Sequence, residues 1–222
     1  MTGTTDLPST STRNVFVLNT GRCGSVTFIR ACSHITNYTA AHESRKSLVG
    51  PSRFDYPPDH IEADNRLSWL LGRLDEKYGA DAVYVHLYRR PDKVVSSYVK
   101  RYRIGLINAY RDAILWRVPP TVNPEEVAAD FCDSVRSNIS MFLKDKPYQI
   151  EVSLENIEED FKRFWEYIGA EGSIDSALAE FETKYNATPE PPEPVPLHPL
   201  ARLLLKIRNK VYLRTRIRRF LK

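Results

Sequence analysis

The sequence predicts an α/β fold: a three-layer sandwich in which helices cover both faces of a mainly parallel central sheet. Short apolar runs alternate with segments of helical periodicity along the chain. Two of these runs, at 15–19 and 82–88, pass through a short polar turn directly into a helical segment, as the βα units of a parallel sheet do. The chain has 222 residues, of which 42% are hydrophobic, so it is long enough to bury one sizeable core.

Periodicity and stop signals place the helices. Leucines recur at helical spacing within 67–74, and Gly79 follows as a stop signal. Pro91 presets the first turn of a helix after the strand at 82–88. An acidic stretch at 155–160 leads into an apolar stripe of core residues at 161–168. The predicted strands are 15–19, 38–41, 82–88 and 148–153, and the predicted helices are 25–34, 59–78, 92–110, 124–144 and one that begins in the acidic stretch.

The turn after the first strand has the features of an anion-binding loop. Gly21 and Gly24 have no Cβ, so the backbone can turn sharply and bring its N–H groups close to a ligand. The helix that starts near Ser25 adds unpaired donors and a positive dipole end. Arg22 contributes a planar guanidinium that can donate to two oxygens of a phosphate or sulfate, and Thr27 contributes a hydroxyl.

The spacing in this turn excludes three common loops. A Walker A loop needs four residues between its glycines and a lysine after the second, whereas Gly21 and Gly24 are closer and Ser25 takes the lysine position. A cysteine-phosphatase loop would place arginine six positions after Cys23, but Arg30 is seven positions away. A dinucleotide fingerprint needs three glycines at another spacing.

The turn resembles the 5′-phosphosulfate loop of sulfotransferases that use 3′-phosphoadenosine 5′-phosphosulfate (PAPS). A second match supports the first: the strand at 82–88 runs into Arg89-Arg90-Pro91, and a serine stands eight residues after Arg89, as in the family's 3′-phosphate motif. The resemblance covers about residues 14–186 and implies a P-loop-NTPase-like sulfotransferase fold. The nucleotide-binding residues that it implies are Thr20, Gly21, Arg22, Cys23, Gly24, Ser25, Val26, Thr27, Arg89 and Ser97.

The resemblance also implies a catalytic base just beyond the second strand. His42 and Glu43 stand there, and Glu43 is the preferred candidate; the alternative is that His42 packs locally while Glu43 pairs with Arg45. Arg22 would stabilise charge on the leaving phosphate oxygen. His86, in the middle of a strand, is interpreted as a core histidine, and Cys23 as a packing residue of the loop. We see no metal-ligand cluster in the sequence.

The predicted function is transfer of a sulfuryl group from PAPS to a hydroxyl or amine by in-line displacement, with adenosine 3′,5′-bisphosphate as product. The acceptor classes considered are a glycan, a glycolipid or lipid-linked carbohydrate, and a small metabolite. Two alternatives stay open: a non-catalytic nucleotide- or phosphate-binding module whose basic tail binds a membrane or another partner, and a nucleotide-dependent phosphotransferase. No nucleic-acid partner is expected, because the basic residues are not interleaved with aromatic ones in a recognisable motif.

The domain prediction has four parts: a disordered tail at 1–13, a sulfotransferase domain at 14–187, a proline-rich linker at 188–199 and a basic amphipathic helix at 200–222. The last part contains nine Lys or Arg and no Asp or Glu, although the whole chain has a net charge of only +4. Three interpretations are open for this helix: contact with anionic lipid, packing on its own domain or on a second subunit, and contact with an anionic acceptor.

The expected location is the cytoplasm of a bacterial-type cell, with peripheral contact at the inner membrane surface. Three cysteines without paired spacing favour reduced thiols, and no apolar run reaches the ~18 residues that a transmembrane helix requires.

Overall fold

The computed structural model of the protein describes residues 13–183 apart from residues 117 and 120. Its centre is a five-stranded parallel sheet with the strand order β2-β3-β1-β4-β5, which confirms the predicted fold class. The strands are β1 Val15–Leu18, β2 Thr39–His42, β3 His60–Ala63, β4 Val83–Tyr88 and β5 Gln149–Ser153. The helices are α1 Ser25–Cys32, α2 Leu71–Tyr78, α3 Pro91–Val99, α4 Gly105–Ala109, α5 Pro124–Leu143, α6 Ile157–Tyr167 and α7 Ile174–Ala179.

The central strand β1 is buried along its whole length, which explains why it is a continuous apolar run rather than an alternating one. Helices α1, α6 and α7 contact one another on one side of the sheet, where Phe28 packs against Phe161 and Phe164. Helix α5 packs on the other side through Phe142, whose ring meets Tyr84 edge-on at 5.0 Å. The predicted core stripe of α6 is therefore confirmed.

Sequence signals set the starts of the long helices. Asn123 caps α5 by accepting a hydrogen bond from the Glu125 amide over 3.0 Å, and Pro124 occupies the first helical position. Pro91 likewise begins α3. The predicted bounds of α5 and β5 therefore differ from the observed ones by one residue at most.

The predicted helix at 59–78 is wrong in its first half. His60–Ala63 instead forms β3, which pairs in parallel register with both β1 and β2. Two of its four residues are polar, and both are buried: His60 Nε2 lies 3.1 Å from Glu62 Oε2. A strand this short and this polar has no apolar run that would indicate a strand. The helix indicated by the leucines at 67–74 is therefore predicted to begin too early, at residue 59. Only the second half is confirmed, as α2, which ends before Gly79 at φ 47°.

The predicted helix at 92–110 is interrupted. Helix α3 ends at Val99, a turn follows, and α4 begins at Gly105 with φ 67°. Residues Tyr110–Ile114 then form a single π-helical segment. Among the described residues, no helix is both long enough and apolar enough to cross a membrane. The predicted tail, the linker and the C-terminal helix lie outside the described residues, apart from Arg13.

Candidate functional site

The two strand-to-helix junctions singled out in the sequence lie side by side. Strands β1 and β4 are hydrogen-bonded neighbours, with Leu18 opposite His86 near their carboxyl ends. The loop at 19–24 and the start of α3 therefore leave the sheet at the same edge, where ligands bind in open parallel sheets.

The loop after β1 has a conformation that glycine favours. Gly21, Arg22 and Gly24 have φ angles of 83°, 61° and 78°, all in the left-handed region. A Cβ on Gly21 would collide with the Tyr98 hydroxyl and the Asn65 amide. A Cβ on Gly24 would come 2.9 Å from a methyl group of Leu154. Both glycines are thus required by backbone conformation and by close neighbours.

Hydrogen bonds fix this loop on the scaffold. Asn19 accepts a bond from the Gly21 amide over 2.8 Å, and the Tyr98 hydroxyl donates to the Thr20 carbonyl over 2.5 Å. Tyr98 is 5% exposed, so its place is under the loop rather than against an acceptor. The N-cap of α1 is Gly24, which has no side chain to accept from the first amides of the helix. Those amides are suited to bind an anion.

The side chain of Arg22 turns toward α3. Its Nε donates to Ser97 Oγ over 2.9 Å, and Arg89 Nη1 donates to the Arg22 carbonyl oxygen over 3.4 Å. Burial is the main cause that lowers the pKa of Arg22, and the charges of Arg101 and Arg89 lower it further. Arg22, Arg89 and Ser97 therefore converge where the loop meets α3, and the charge of Arg101 acts on Arg22 from the turn that follows α3. A phosphate dianion would relieve their mutual repulsion and accept their hydrogen bonds.

Arg101 was not identified in the sequence. Its amide donates to the Tyr98 carbonyl over 2.9 Å, so a helical turn continues beyond the end of α3. Ser97 and Arg101 are four residues apart and share one side of that turn. The four-residue spacing from Ser97 could have indicated Arg101. It did not single out Arg101, because the range 93–103 contains four basic residues.

Cys23 has no features of a nucleophile. It is 1% exposed, and burial raises the pKa of its thiol to about 11. Its sulfur lies 3.2 Å from Thr20 Oγ1 and 3.3 Å from the Gly21 carbonyl oxygen. A neutral thiol in this position packs the inside of the loop.

Of the two base candidates, His42 lies beside the loop at 19–24 and the start of α1. It is the last residue of β2, and its Nε2 lies 3.0 Å from Ser25 Oγ at the start of α1. The imidazole is thus adjacent to the amides that could hold the anion. The residue is partly exposed.

Glu43 is the next residue, with φ 52°, and it is engaged by cations. Its Oε2 lies 2.9 Å from Arg66 Nη1 and 3.3 Å from Lys46 Nζ. Burial opposes its ionisation, but the Arg66 charge and hydrogen bond, together with His42 and Lys46, outweigh burial and lower the pKa of Glu43. The carboxylate is therefore ionised at neutral pH and is a weaker base than an ordinary glutamate. In the alternative interpretation Glu43 pairs with Arg45; in the structure its arginine partner is Arg66.

Buried acidic residues on and after β3 support this corner of the site. Glu62 accepts from both the amide and the hydroxyl of Ser44, over 2.8 and 2.6 Å, which anchors the chain just after Glu43. Asp64 pairs with the buried Arg53 at 2.5 Å and also accepts from the Arg66 amide over 2.8 Å. These positions were missed because a four-residue strand was predicted as helix.

The other sequence candidates occupy structural positions. His86 is 8% exposed and lies 3.4 Å from a Glu151 carboxylate oxygen on the neighbouring strand, in agreement with its interpretation as a core histidine. Within residues 13–183, no group of three or more His, Cys, Asp or Glu side chains has the arrangement of a metal site.

Comparison with known proteins gives a match in structure alone. No protein-family model matches the chain, and no curated protein sequence matches it. The fold is similar to that of a sulfotransferase domain from the curacin biosynthetic pathway: the TM-score is 0.52 and the identity 15%, and the match covers 81% of this chain and 80% of that one. Mouse sulfotransferase SULT7A1, complexed with PAP, gives a TM-score of 0.49 and an identity of 12% over 77% of this chain and 64%, just under two thirds, of that one.

The parallel sheet, its strand order and the match to the curacin-pathway domain agree on the architecture. The chain has a sulfotransferase-type α/β fold.

Proposed function

We propose that the protein transfers a sulfuryl group from PAPS to a hydroxyl or amine. The observation that carries the proposal is the convergence of Arg22, Arg89 and Ser97 at the edge shared by β1 and β4. This edge offers two anion sites at once. The loop amides and the start of α1 suit a 5′-phosphosulfate, and the arginines with Ser97 suit a 3′-phosphate.

PAPS would supply an activated sulfuryl group on a good leaving phosphate. The acceptor oxygen or nitrogen forms a bond to sulfur while the bond from sulfur to the phosphate oxygen breaks. The electron pair of that bond stays on adenosine 3′,5′-bisphosphate, and the acceptor's proton passes to a base. The loop amides and Arg22 would stabilise the charge that develops on the phosphate oxygen.

We assign the base to His42. Its Nε2 is 3.0 Å from Ser25 at the start of α1, so it stands beside the loop to which the sulfuryl donor would bind. Glu43 is less suited, because Arg66 and Lys46 hold its carboxylate and its pKa is lowered. Glu43 would then position Arg66 and the chain after β2, so His42 replaces Glu43 as the preferred base.

The proposal is tested by turnover. The chain is incubated with PAPS and a panel of phenols, sugars, amines and lipid-linked alcohols, and release of adenosine 3′,5′-bisphosphate is measured for each acceptor. Acceptor-dependent release with transfer of the sulfuryl group is the expected result. Tight binding of adenosine 3′,5′-bisphosphate without transfer to any class would instead support a non-catalytic binding module.

A further inference from the structure

An exposed apolar surface lies next to the candidate site. Eight large hydrophobic side chains of the described residues are exposed, and four of them fall within 13 consecutive positions. We call this segment, residues 104–116, the apolar lip. Its exposed members are Ile104, Ile114, Leu115 and Trp116, with Ile104 58%, Ile114 61% and Trp116 67% exposed.

The ends of the helical segment explain why these side chains are exposed. Ile107 and Tyr110 occupy the core-facing positions of the segment, and the Tyr110 ring packs against Trp69 and Phe131. The exposed side chains stand where the regular α-helix does not extend: Ile104 precedes α4 with an extended backbone, and Ile114 is the last residue of the π-helical segment. The π-helical segment ends at Ile114, and Trp116 has φ 54°, a left-handed backbone conformation that is unfavourable for a bulky residue. The outward position of the tryptophan is thus built into the local fold.

The charge around the lip is positive. Lys100 and Arg103 are exposed on the turn that precedes it. The single acidic residue of the stretch 100–116 is Asp112, and Arg111 donates to both of its carboxylate oxygens over 2.7 Å. The stretch 100–116 therefore contains four basic residues and one acidic residue. Exposed aliphatic and tryptophan side chains flanked by cations are typical of surfaces that bind the interface of an anionic membrane.

The lip continues directly from the candidate nucleotide site. The turn that carries Lys100 and Arg103 directly follows α3, whose Ser97 accepts a hydrogen bond from Arg22 over 2.9 Å. A surface seated on lipid through the lip would therefore present the site to molecules embedded in that lipid. The segment 200–222 does not complement the lip by charge, since it contains nine basic and no acidic residues.

We propose that the apolar lip docks on an anionic membrane surface and that the acceptor is an amphiphile presented there. The docking depends only on the lip, whereas the acceptor class rests on the proposed sulfotransferase function. A lipid-linked hydroxyl would reach the site from the bilayer without leaving it.

The test is co-sedimentation of the full chain with vesicles of phosphatidylcholine containing phosphatidylglycerol, against vesicles of phosphatidylcholine alone. Two variants, together called the lip variants, are compared with the wild type: the double variant Ile114→Asp with Trp116→Asp in the lip itself, and Arg103→Glu in the cation that flanks it. Met141→Asp is the matched control, because Met141 is 73% exposed on α5, outside the lip. We expect the anionic vesicles to retain the wild type and the control, and the lip variants to bind them at least about fivefold more weakly.

Wild-type and lip variants that sediment equally would overturn the proposal, and this result would place any vesicle binding on another segment. Failure of the wild type to bind would overturn it too and would favour a protein partner for the lip. Binding of adenosine 3′,5′-bisphosphate is measured on the same variants, and it should not change. Loss of lipid binding with nucleotide binding intact separates this inference from the proposed function.

Discussion

At the scale of single residues, the arrangement of cations around Arg22 is the least expected feature of the site. Arg22 was predicted to serve the leaving phosphate, yet its side chain donates to Ser97, a predicted ligand of the 3′-phosphate. It therefore joins the two halves of the candidate nucleotide site. Replacing it would remove contacts from both halves at once, so it is a poor probe of either.

Arg101 is a sharper probe of the 3′-phosphate half. We expect Arg101→Ala to weaken binding of adenosine 3′,5′-bisphosphate about tenfold, because one charge-assisted hydrogen bond is lost. Arg103→Ala is the matched control, since Arg103 is exposed on the same turn and should leave the affinity unchanged. Calorimetric titration measures both. If both substitutions weaken nucleotide binding equally, Arg101 contributes only general positive charge and makes no specific contact with the 3′-phosphate.

The choice of base is tested by paired substitutions. We expect His42→Gln to lower kcat about 10²- to 10⁴-fold, the usual contribution of a general base. Glu43→Gln should lower it less, because its carboxylate is engaged by Arg66. Steady-state assays with an active acceptor, at saturating PAPS, give both values. The reverse order of effects would restore Glu43 as the base.

Glu43 should also make stability depend on pH. Its folded-state pKa lies below the ordinary value of 4.5, so its ion pairs stabilise the fold above that pH. The contribution is lost as the pH falls through the folded pKa. We therefore expect Glu43→Gln to be destabilising near about pH 7 and progressively less so below about pH 4.5. Urea unfolding across this range measures it, with the exposed Glu159→Gln as a control that should show no such trend.

At the scale of elements, residues on and directly after the short strand β3 stabilise the site. Arg53 and Asp64 form an ion pair in which both side chains are nearly inaccessible, at 5% and 0% exposure. Removing one partner of a buried pair leaves an uncompensated charge. Asp64→Asn should therefore lower the free energy of unfolding by roughly 3–5 kcal/mol.

Urea denaturation of Asp64→Asn is compared with that of Asp92→Asn, which breaks an exposed pair with Arg90. Exposed pairs contribute little, so the control should unfold close to the wild type. If the two variants have similar urea midpoints, the Arg53–Asp64 pair does not contribute the predicted stability.

Elements also show where sequence reasoning succeeds and fails. The β1 and β4 junctions were predictable because an apolar strand, a glycine turn or an Arg-x-Pro motif, and a helix follow in close order. Strand β3 was not predictable from apolar patterning, because two of its four buried residues, His60 and Glu62, are polar, and Glu62 is satisfied by a partner 18 residues away, Ser44. The break after α3 was missed because helix-compatible residues continue through the turn.

At the scale of the whole molecule, the fold class was predictable and the site only in part. Strand-to-helix alternation fixes a parallel sheet, and adjacent parallel strands bring their carboxyl ends together. Side-chain pairings such as Arg66 with Glu43 depend on the packing of separate elements, so no local pattern indicates them. The same holds for the apolar lip, whose exposure is set by which of its residues meet the core.

The central claim is that this edge of the sheet recognises a 3′-phosphate. Calorimetric titration of adenosine 3′,5′-bisphosphate and of 5′-AMP into the wild type, Arg89→Ala and the matched control Arg90→Ala tests it most directly; Arg90 is exposed and bound to Asp92. We predict that the wild type and Arg90→Ala prefer the bisphosphate strongly and that Arg89→Ala loses about ten- to a hundredfold of that affinity. Equal binding of the two nucleotides by the wild type would contradict the account.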